Sequence, residues 1–263
     1  MRINSINSYT NLYNQKRSNA TAPSFGMWDK GSAVKAKKAI QRNEVYHFTA
    51  LFRNAGFWSD FSKHIQTKFP NGVKFHNYAA SDDSESYTII MKLIDDLGEE
   101  KAKKYFPILS NDISATAIKQ IKKRELIITQ PEEESIFINL KNTGMDKYFD
   151  IKQTGLTYNQ SLLKVKNSLY SKITPKRADI MKDLNDNTKF DEPCVLLFRN
   201  AWYFFTPNAR TTLAHNLFNR LKPGSSLIVG STEQTDVAKV LLEKGFKQAV
   251  VDGKPQSFIF ERP

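Results

Sequence analysis

Two pairs of polar residues close apolar runs in this chain, and both suit a polar ligand. Asn111-Asp112 follows Phe106-Pro107-Ile108-Leu109-Ser110, and Arg199-Asn200 follows Cys194-Val195-Leu196-Leu197-Phe198. In open α/β sheets, ligands sit outside the carboxyl ends of the strands. An acidic side chain there, such as Asp112, accepts hydrogen bonds from the two hydroxyls of a ribose. The competing role for Asp112 is to cap the helix that follows, and the spacing leaves both open. A guanidinium such as Arg199 grips a carboxylate through two parallel hydrogen bonds, or holds its own loop by a salt bridge. Trp202, Tyr203, Phe204 and Phe205 come directly after it.

Other chemistry is thin. His47, His64, His76 and His215 are scattered and lack metal-ligand spacing, so no metal is expected. The single cysteine, Cys194, excludes a disulfide within the chain and a cysteine-based metal site, and it reads as a buried strand residue. No apolar run approaches the roughly 20 residues of a membrane span. The start, Met1-Arg2-Ile3-Asn4-Ser5, lacks the apolar core of a secretory signal. A cytoplasmic location is expected.

The elements that must position these residues are those of an α/β domain. The chain has 263 residues, 40% hydrophobic and 25% charged, enough for one large globular domain or two small ones. Residues 1–45 read as a basic arm, partly disordered and partly helical over 31–40. There Arg2, Lys16, Arg17, Lys30, Lys35, Lys37, Lys38 and Arg42 face only Asp29 and Glu44, a large share of the net charge of +12. A second basic group is Lys119, Lys122, Lys123 and Arg124. Aromatics crowd residues 46–64, with Phe48 and Phe52, and Phe57 and Phe61, at helical spacing.

Strand and helix signals then alternate. Residues 73–80 read as a strand and 84–97 as a helix, with Tyr87, Ile90, Met91 and Ile94 on one face and Gly98 as its stop. A second strand runs over 106–109 toward Asn111-Asp112, and a helix capped at Ser114 covers 115–124. Residues 125–175 form a possible inserted subdomain, with a helix-like 135–140 and a strand or strand pair at 164–173. Strands at 194–198 and 226–230 alternate with helices at 207–221 and 235–244. Strands at 246–251 and 257–261 pair around Asp252-Gly253, a two-residue hairpin turn. A mostly parallel sheet ending in an antiparallel hairpin is the pattern of nucleoside-binding α/β domains. The loop after the first strand has no glycine fingerprint, so the dinucleotide motif is not matched.

Over residues 46–263 the sequence resembles the CheR-type chemotaxis protein-glutamate methyltransferases. Ala79, Ala80 and Ser81 match the small residues before that family's Gly-Glu-Glu-Pro-Tyr segment, and Glu85 and Tyr87 match its second glutamate and tyrosine. Asp83, Ser84 and Ser86 depart from its glycine, first glutamate and proline. Thr49-Ala50-Leu51-Phe52-Arg53, followed by Phe57-Trp58, is similar to its Thr-x-Phe-Phe-Arg segment, and Asn111-Asp112-Ile113-Ser114 to its ribose site. Asp179-Ile180 stands where the family has Asn-Leu. Arg199-Asn200 matches its Arg-Asn pair, and Phe204, beside Tyr203, takes the place of its tyrosine. Leu221-Lys222-Pro223-Gly224 and Ser231-Thr232-Glu233 match its closing segments.

The resemblance implies a Rossmann-like class I fold with a mostly parallel seven-stranded sheet and an antiparallel C-terminal hairpin. It implies S-adenosylmethionine as cofactor and S-adenosylhomocysteine as product. The implied cofactor contacts are Thr49, Arg53, Ala79, Ala80, Glu85, Asp112, Asp179, Ile180 and Asn200, with Glu85 on the methionine ammonium and Arg53 on its carboxylate. At Asp83 a side chain and a negative charge stand where the cofactor approaches backbone in the family. Arg199 and Tyr203 are the implied catalytic pair, steering and lining the approach of a glutamate of a signalling or receptor protein, with contact to a membrane receptor part of the expectation. The alternative is a catalytically impaired cofactor-binding or protein-interaction module of the same fold. The absence of an Asn/Asp-Pro-Pro-Tyr/Phe motif after residue 198 argues against methylation of nucleic acid bases. About 45 residues precede Tyr46 where the family carries a sizeable helical domain, so substrate choice lies outside what the resemblance implies.

Overall fold

A computed structural model describes residues 49–263, apart from 55, 130–131, 155–159, 187, 231–232 and 234. The basic arm, its expected helix and the aromatics Tyr46 and Phe48 lie outside the described residues. The main sheet has seven strands: β1 (Lys74–Tyr78), β2 (Ile108–Asp112), β6 (Ile173–Arg177), β7 (Cys194–Phe198), β8 (Ser226–Ile228), β9 (Lys247–Val251) and β10 (Lys254–Glu261). Their spatial order is β6-β2-β1-β7-β8-β10-β9, and β10 alone runs antiparallel to its neighbours. This is the Rossmann-like class I arrangement. The order reverses between β1 and β7, which makes a crevice at their carboxyl ends.

The helices follow the apolar period. In α1 (Phe57–Lys68), Phe57, Trp58, Phe61 and Ile65 are buried. In α2 (Ser84–Leu97), Tyr87, Ile90, Met91 and Ile94 are buried, and the helix stops where the Gly98 N–H, in a backbone of φ 76°, donates to Ile94 O at 2.8 Å. The next, α3 (Ala115–Lys123), is capped by the Ser114 hydroxyl, which accepts from Ala117 N. After α4 (Glu132–Asn142), α5 (Pro207–Arg220) has Thr206 as its cap and Pro207 at a first-turn position that needs no N–H partner, and α6 (Asp236–Glu243) precedes the hairpin. The β9–β10 turn uses Asp252 at φ 49° and Gly253 at φ 74°, the left-handed pair of a tight hairpin.

The core lies on both faces of the sheet. Along β7, Val195 and Leu197 join one cluster with Phe61, Phe75, Tyr87 and Ile90, whereas Cys194, Leu196 and Phe198 join the other with Trp202, Leu213 and Leu217. No helix among the described residues is long and apolar enough to cross a membrane.

One expectation differs from the structure. Residues 164–173 are not a strand or strand pair. They are the end of β5 (Gln160–Val165), a helical turn at Asn167–Tyr170 and the start of β6. Leu163, Val165, Leu169 and Ile173 are all buried, so the apolar spacing runs on through the turn and hides it. The expected spacing of Phe48 and Phe52 includes Phe48, which lies outside the described residues. Phe52 and Asn54 have φ of 57° and 61°, which break any helical run before α1. Finally, β3 (Glu125–Thr129) and β4 (Phe149–Thr154) flank β5 in a second, antiparallel sheet of order β3-β5-β4 that the sequence reading did not contain. Leu126, Ile128, Leu163 and Val165 tie this sheet to the first core cluster.

Candidate functional site

The strand ends set the site. Tyr78 is level with Asn111 on β2 and with Phe198 on β7, and Asp112 with Arg177 on β6. The loops leaving β1, β2 and β7 therefore begin side by side. Ala80 N–H donates to Asn111 O at 3.0 Å, and Ala178 N–H to Asp112 O at 3.0 Å, which extends the sheet into those loops.

The loop after β1 carries three left-handed residues in five, none of them glycine: Ala79 at φ 59°, Ser81 at 57° and Asp83 at 72°. For an L-residue this conformation costs about 1–2 kcal/mol, least for a residue such as Asp. Such strain persists only where surrounding bonds hold it. Here the Ser81 N–H donates to Asp112 Oδ2 at 2.9 Å, the Asp83 N–H to Ala80 O at 2.8 Å, and the Ser84 N–H to Asp82 Oδ1 at 2.9 Å.

Asp112 is buried at 8% exposure. Its Oδ1 accepts from Ser114 N–H at 2.8 Å and its Oδ2 from Ser81 N–H. The helix cap itself is Ser114, so Asp112 joins two loops rather than ending α3.

Asp83 faces inward. Its side-chain oxygens have no solvent contact, and neither meets hydrogen-bond geometry with a partner. Burial pushes its carboxyl up to about 7, an effect that the nearby Ser86 and Ser110 hydroxyls offset only in part. Those hydroxyls are turned to each other at 3.1 Å, and Asn77 donates to Ser86 at 2.9 Å. The charge expected to stand against the cofactor thus lies beneath the loop, and at acidic pH it is absent.

Arg199 is the hub of the crevice. Its side chain is 1% exposed, and its Nη1 pairs with Glu85 Oε2 at 2.7 Å. Nη2 donates to Asn54 Oδ1 at 3.2 Å and Nε to Val229 O at 3.3 Å. The guanidinium carbon lies 4.7 Å from the Phe57 ring centroid and 5.2 Å from that of Trp58. The structure thus brings Arg199 to Glu85, with no exposed face toward a substrate. Tyr203, its expected partner, is 37% exposed, with its ring 4.1 Å from that of Phe204.

The remaining expected residues lie on several elements. Asp179 caps the helical turn Ile180–Asp183 by accepting from Met181 N–H at 3.0 Å, and Ile180 is buried in the second core cluster. Ala79 is exposed and Ala80 buried. Thr49 lines a narrow cleft with Ala50, Leu51, Ser84 and the β3 residues Leu126 and Ile128. The segment carrying Arg53 is docked on α2, since Phe52 N–H donates to Thr88 Oγ1 at 3.0 Å, while Trp58 Nε1–H donates to Arg53 O at 2.9 Å.

Sequence reasoning passed over Glu233 as a functional residue. It is 2% exposed and accepts three backbone N–H groups, from Gly230 at 2.6 Å, Asn200 at 2.9 Å and Trp202 at 2.9 Å. Burial holds its carboxyl above the usual range, opposed by those three bonds and by the charge of Arg199. An acidic residue three positions after the strand-ending Gly230 was the signal available. Asn54 was missed because nothing in its local pattern marks a bond to Arg199, 145 residues away.

The histidines have structural surroundings. Burial lowers His64 and His76 to about 4, and His64 Nε2 is 2.8 Å from the Ser226 hydroxyl. Exposed His215 meets Asn219 at 2.9 Å.

Comparison with known proteins gives one family. The sequence profile of the CheR methyltransferase SAM-binding domain matches residues 47–249. Solved structures with a similar chain trace include the S-adenosylmethionine-dependent methyltransferase SibL (12% identity, 81% of this chain and 57% of that one, TM-score 0.37). An O-methyltransferase family 2 protein from Planctomyces limnophilus matches at 9% identity over 74% of this chain and 52% of that one, with TM-score 0.40. Magnesium protoporphyrin IX methyltransferase from Synechocystis matches at 12% identity over 89% and 95%, with TM-score 0.40. The chain spans little more than half the length of the first two.

Proposed function

The chain belongs to the CheR methyltransferase family, and from that premise we propose that it methylates carboxylates, namely glutamate side chains of a signalling or receptor protein. Its cofactor is S-adenosylmethionine. The observation that carries the proposal is the pairing of Glu85, in the first turn of α2, with Arg199, just past the end of β7, while Asp112 closes the neighbouring strand β2.

The residues fit that cofactor. Asp112, the last residue of β2, stands where an acidic side chain would accept from the ribose hydroxyls. Glu85, 15% exposed in its side chain, offers a carboxylate to the amino-acid ammonium while Arg199 fixes its orientation. Arg53 takes the amino-acid carboxylate, beside Thr49. Asp179 and Ile180 hold the adenine, polar edge and apolar face respectively. The left-handed loop with Ala79 and Ala80 presents backbone to the ligand, and Asp83 points away from it. Asn200 closes the crevice from the β7 side.

The bound cofactor supplies a methyl group on a sulfonium. A glutamate acceptor is ionised at neutral pH, with a reference pKa of about 4.3. Its oxygen would be the acceptor of that methyl group, and no proton would have to be taken from it. The protein therefore has only to align the two partners at about 3 Å and exclude water. His64, buried, and His76, half-buried, are both neutral at pH 7 and are not called upon. Tyr203, exposed and stacked on Phe204, lines the approach of the acceptor. Arg199 acts on Glu85 rather than on the substrate.

A second reading has one observation behind it. Glu85 is paired to Arg199, and Asp112 is bonded to Ser81, so both carboxylates also serve to hold the loops of the site to one another. This suits a module that binds cofactor or partner and transfers nothing. Tritium transfer from labelled cofactor to a glutamate-bearing receptor fragment decides between them: incorporation supports the enzyme, and cofactor binding without incorporation supports the module.

A further inference from the structure

We propose that Glu233 is a positioning residue for the amino-acid arm of the cofactor, acting through Asn200 and Arg199 to set the carboxylate of Glu85. This rests on the reading that Glu85 holds the cofactor's ammonium group.

Glu233 joins two strand ends. Its Oε2 accepts from Gly230 N–H, after β8, and from Asn200 N–H, after β7, while its Oε1 accepts from Trp202 N–H. A buried carboxylate is costly unless it is hydrogen-bonded, and these bonds to an ionised acceptor are of the strong kind. They clamp the backbone on the carboxyl side of Arg199. Asn200 is held left-handed at φ 55°, and its side chain lies over Gly230. A Cβ at Gly230 would come within 2.5 Å of Asn200 Cγ, so glycine is required there by close approach. With the backbone fixed on one side and Nε bonded to Val229 O at 3.3 Å, the Arg199 guanidinium reaches Glu85 across the crevice. The chain of contacts runs from Glu233 through the Asn200–Trp202 backbone to Arg199 and on to Glu85. Its far end meets the cofactor at one group, the ammonium.

That localisation separates positioning from general support. S-adenosylhomocysteine carries the amino-acid arm, and 5′-methylthioadenosine lacks it. In Glu233→Gln an amide NH₂ replaces one acceptor oxygen, so at least one backbone N–H faces a donor. The affinity for S-adenosylhomocysteine is expected to fall about tenfold, the loss of one hydrogen bond to a charged group. The affinity for 5′-methylthioadenosine should not change. Gly230→Ala leaves Glu233 intact and presses on Asn200, and should give the same selective loss. Glu85→Gln is the reference for the arm-specific pattern. Calorimetry on the full chain reads all three variants with both ligands. Equal weakening of both ligands in Glu233→Gln and Gly230→Ala would mean that Glu233 merely supports the fold. No weakening in either, while Glu85→Gln loses S-adenosylhomocysteine alone, would overturn the role of Glu233 and leave that of Glu85 standing. If Glu85→Gln itself changes nothing, the reading of Glu85 falls and takes the proposal with it.

Discussion

Replacing Asp83 by asparagine should stabilise the protein at pH 8 and leave it nearly unchanged at pH 4. Asp83 is fully buried without a geometrically sound hydrogen bond, and its carboxyl is pushed up to about 7 by burial, with Ser86 and Ser110 opposing and Asp82 and Glu85 adding to the rise. A carboxyl whose pKa is higher in the fold than in the unfolded chain binds more protons when folded. Stability is therefore lost as pH rises from 3.8, the unfolded value, through about 7, and is constant above that. At about 1.4 kcal/mol per pH unit the total is about 4 kcal/mol. Asparagine keeps the size and tolerance of the left-handed backbone at φ 72° and removes the charge. His64 and His76 act in the opposite sense. Both are lowered from 6.5 to about 4 by burial, so the stability they allow is lost as pH falls from 6.5 through 4. Their contribution is common to both proteins and cancels in the difference. Equilibrium urea unfolding from pH 4 to 8, followed by tryptophan fluorescence, gives that difference directly. It should grow by about 1.4 kcal/mol per pH unit up to pH 7 and then level off. A difference independent of pH, or a variant less stable at pH 8, would refute the reasoning.

Further outcomes are expected. Asp112→Ala should weaken S-adenosylhomocysteine binding by about 100-fold, two hydrogen bonds to a charged acceptor, as read by calorimetry. Arg199→Ala leaves Glu85 partnerless in the crevice and should cost about 3 kcal/mol in urea unfolding, as for other broken buried pairs. Cys194 is 1% exposed with its thiol pushed up to about 12 by burial. It should react with a thiol reagent only in denaturant, and rapid labelling of the native protein would contradict its placement in β7.

What the sequence disclosed and what it hid follow from the range of the interactions. Helix α2, strand β7 and the Asp252-Gly253 hairpin rest on local patterns, apolar period, a buried run and turn chemistry, and all three could be read directly. Strand β6 could not, because Lys176 and Arg177 are exposed at the sheet edge and its place is set by pairing with β2. The small sheet was hidden for a related reason. Its centre, β5, runs toward a helical turn in which Leu169 keeps the apolar spacing going, and one of its partners, β3, lies on the far side of α4 in sequence. In the candidate site, Asp112 stood out by its position at a strand end. The pairing of Arg199 with Glu85 spans 114 residues, and no local rule reveals it. The burial of Asp83 sets it near Ser110 of the neighbouring strand, a proximity that no local pattern marks.

The central claim, cofactor-dependent methylation of a carboxylate, is tested most directly by methyl transfer. The purified chain is incubated with tritium-labelled S-adenosylmethionine and a glutamate-bearing receptor fragment, and the fragment is then treated with mild base. The account predicts label in the fragment that is released as methanol, as a methyl ester requires, and that is lost with Asp112→Ala. Label that resists base, or none at all from a chain that binds the cofactor, would contradict it.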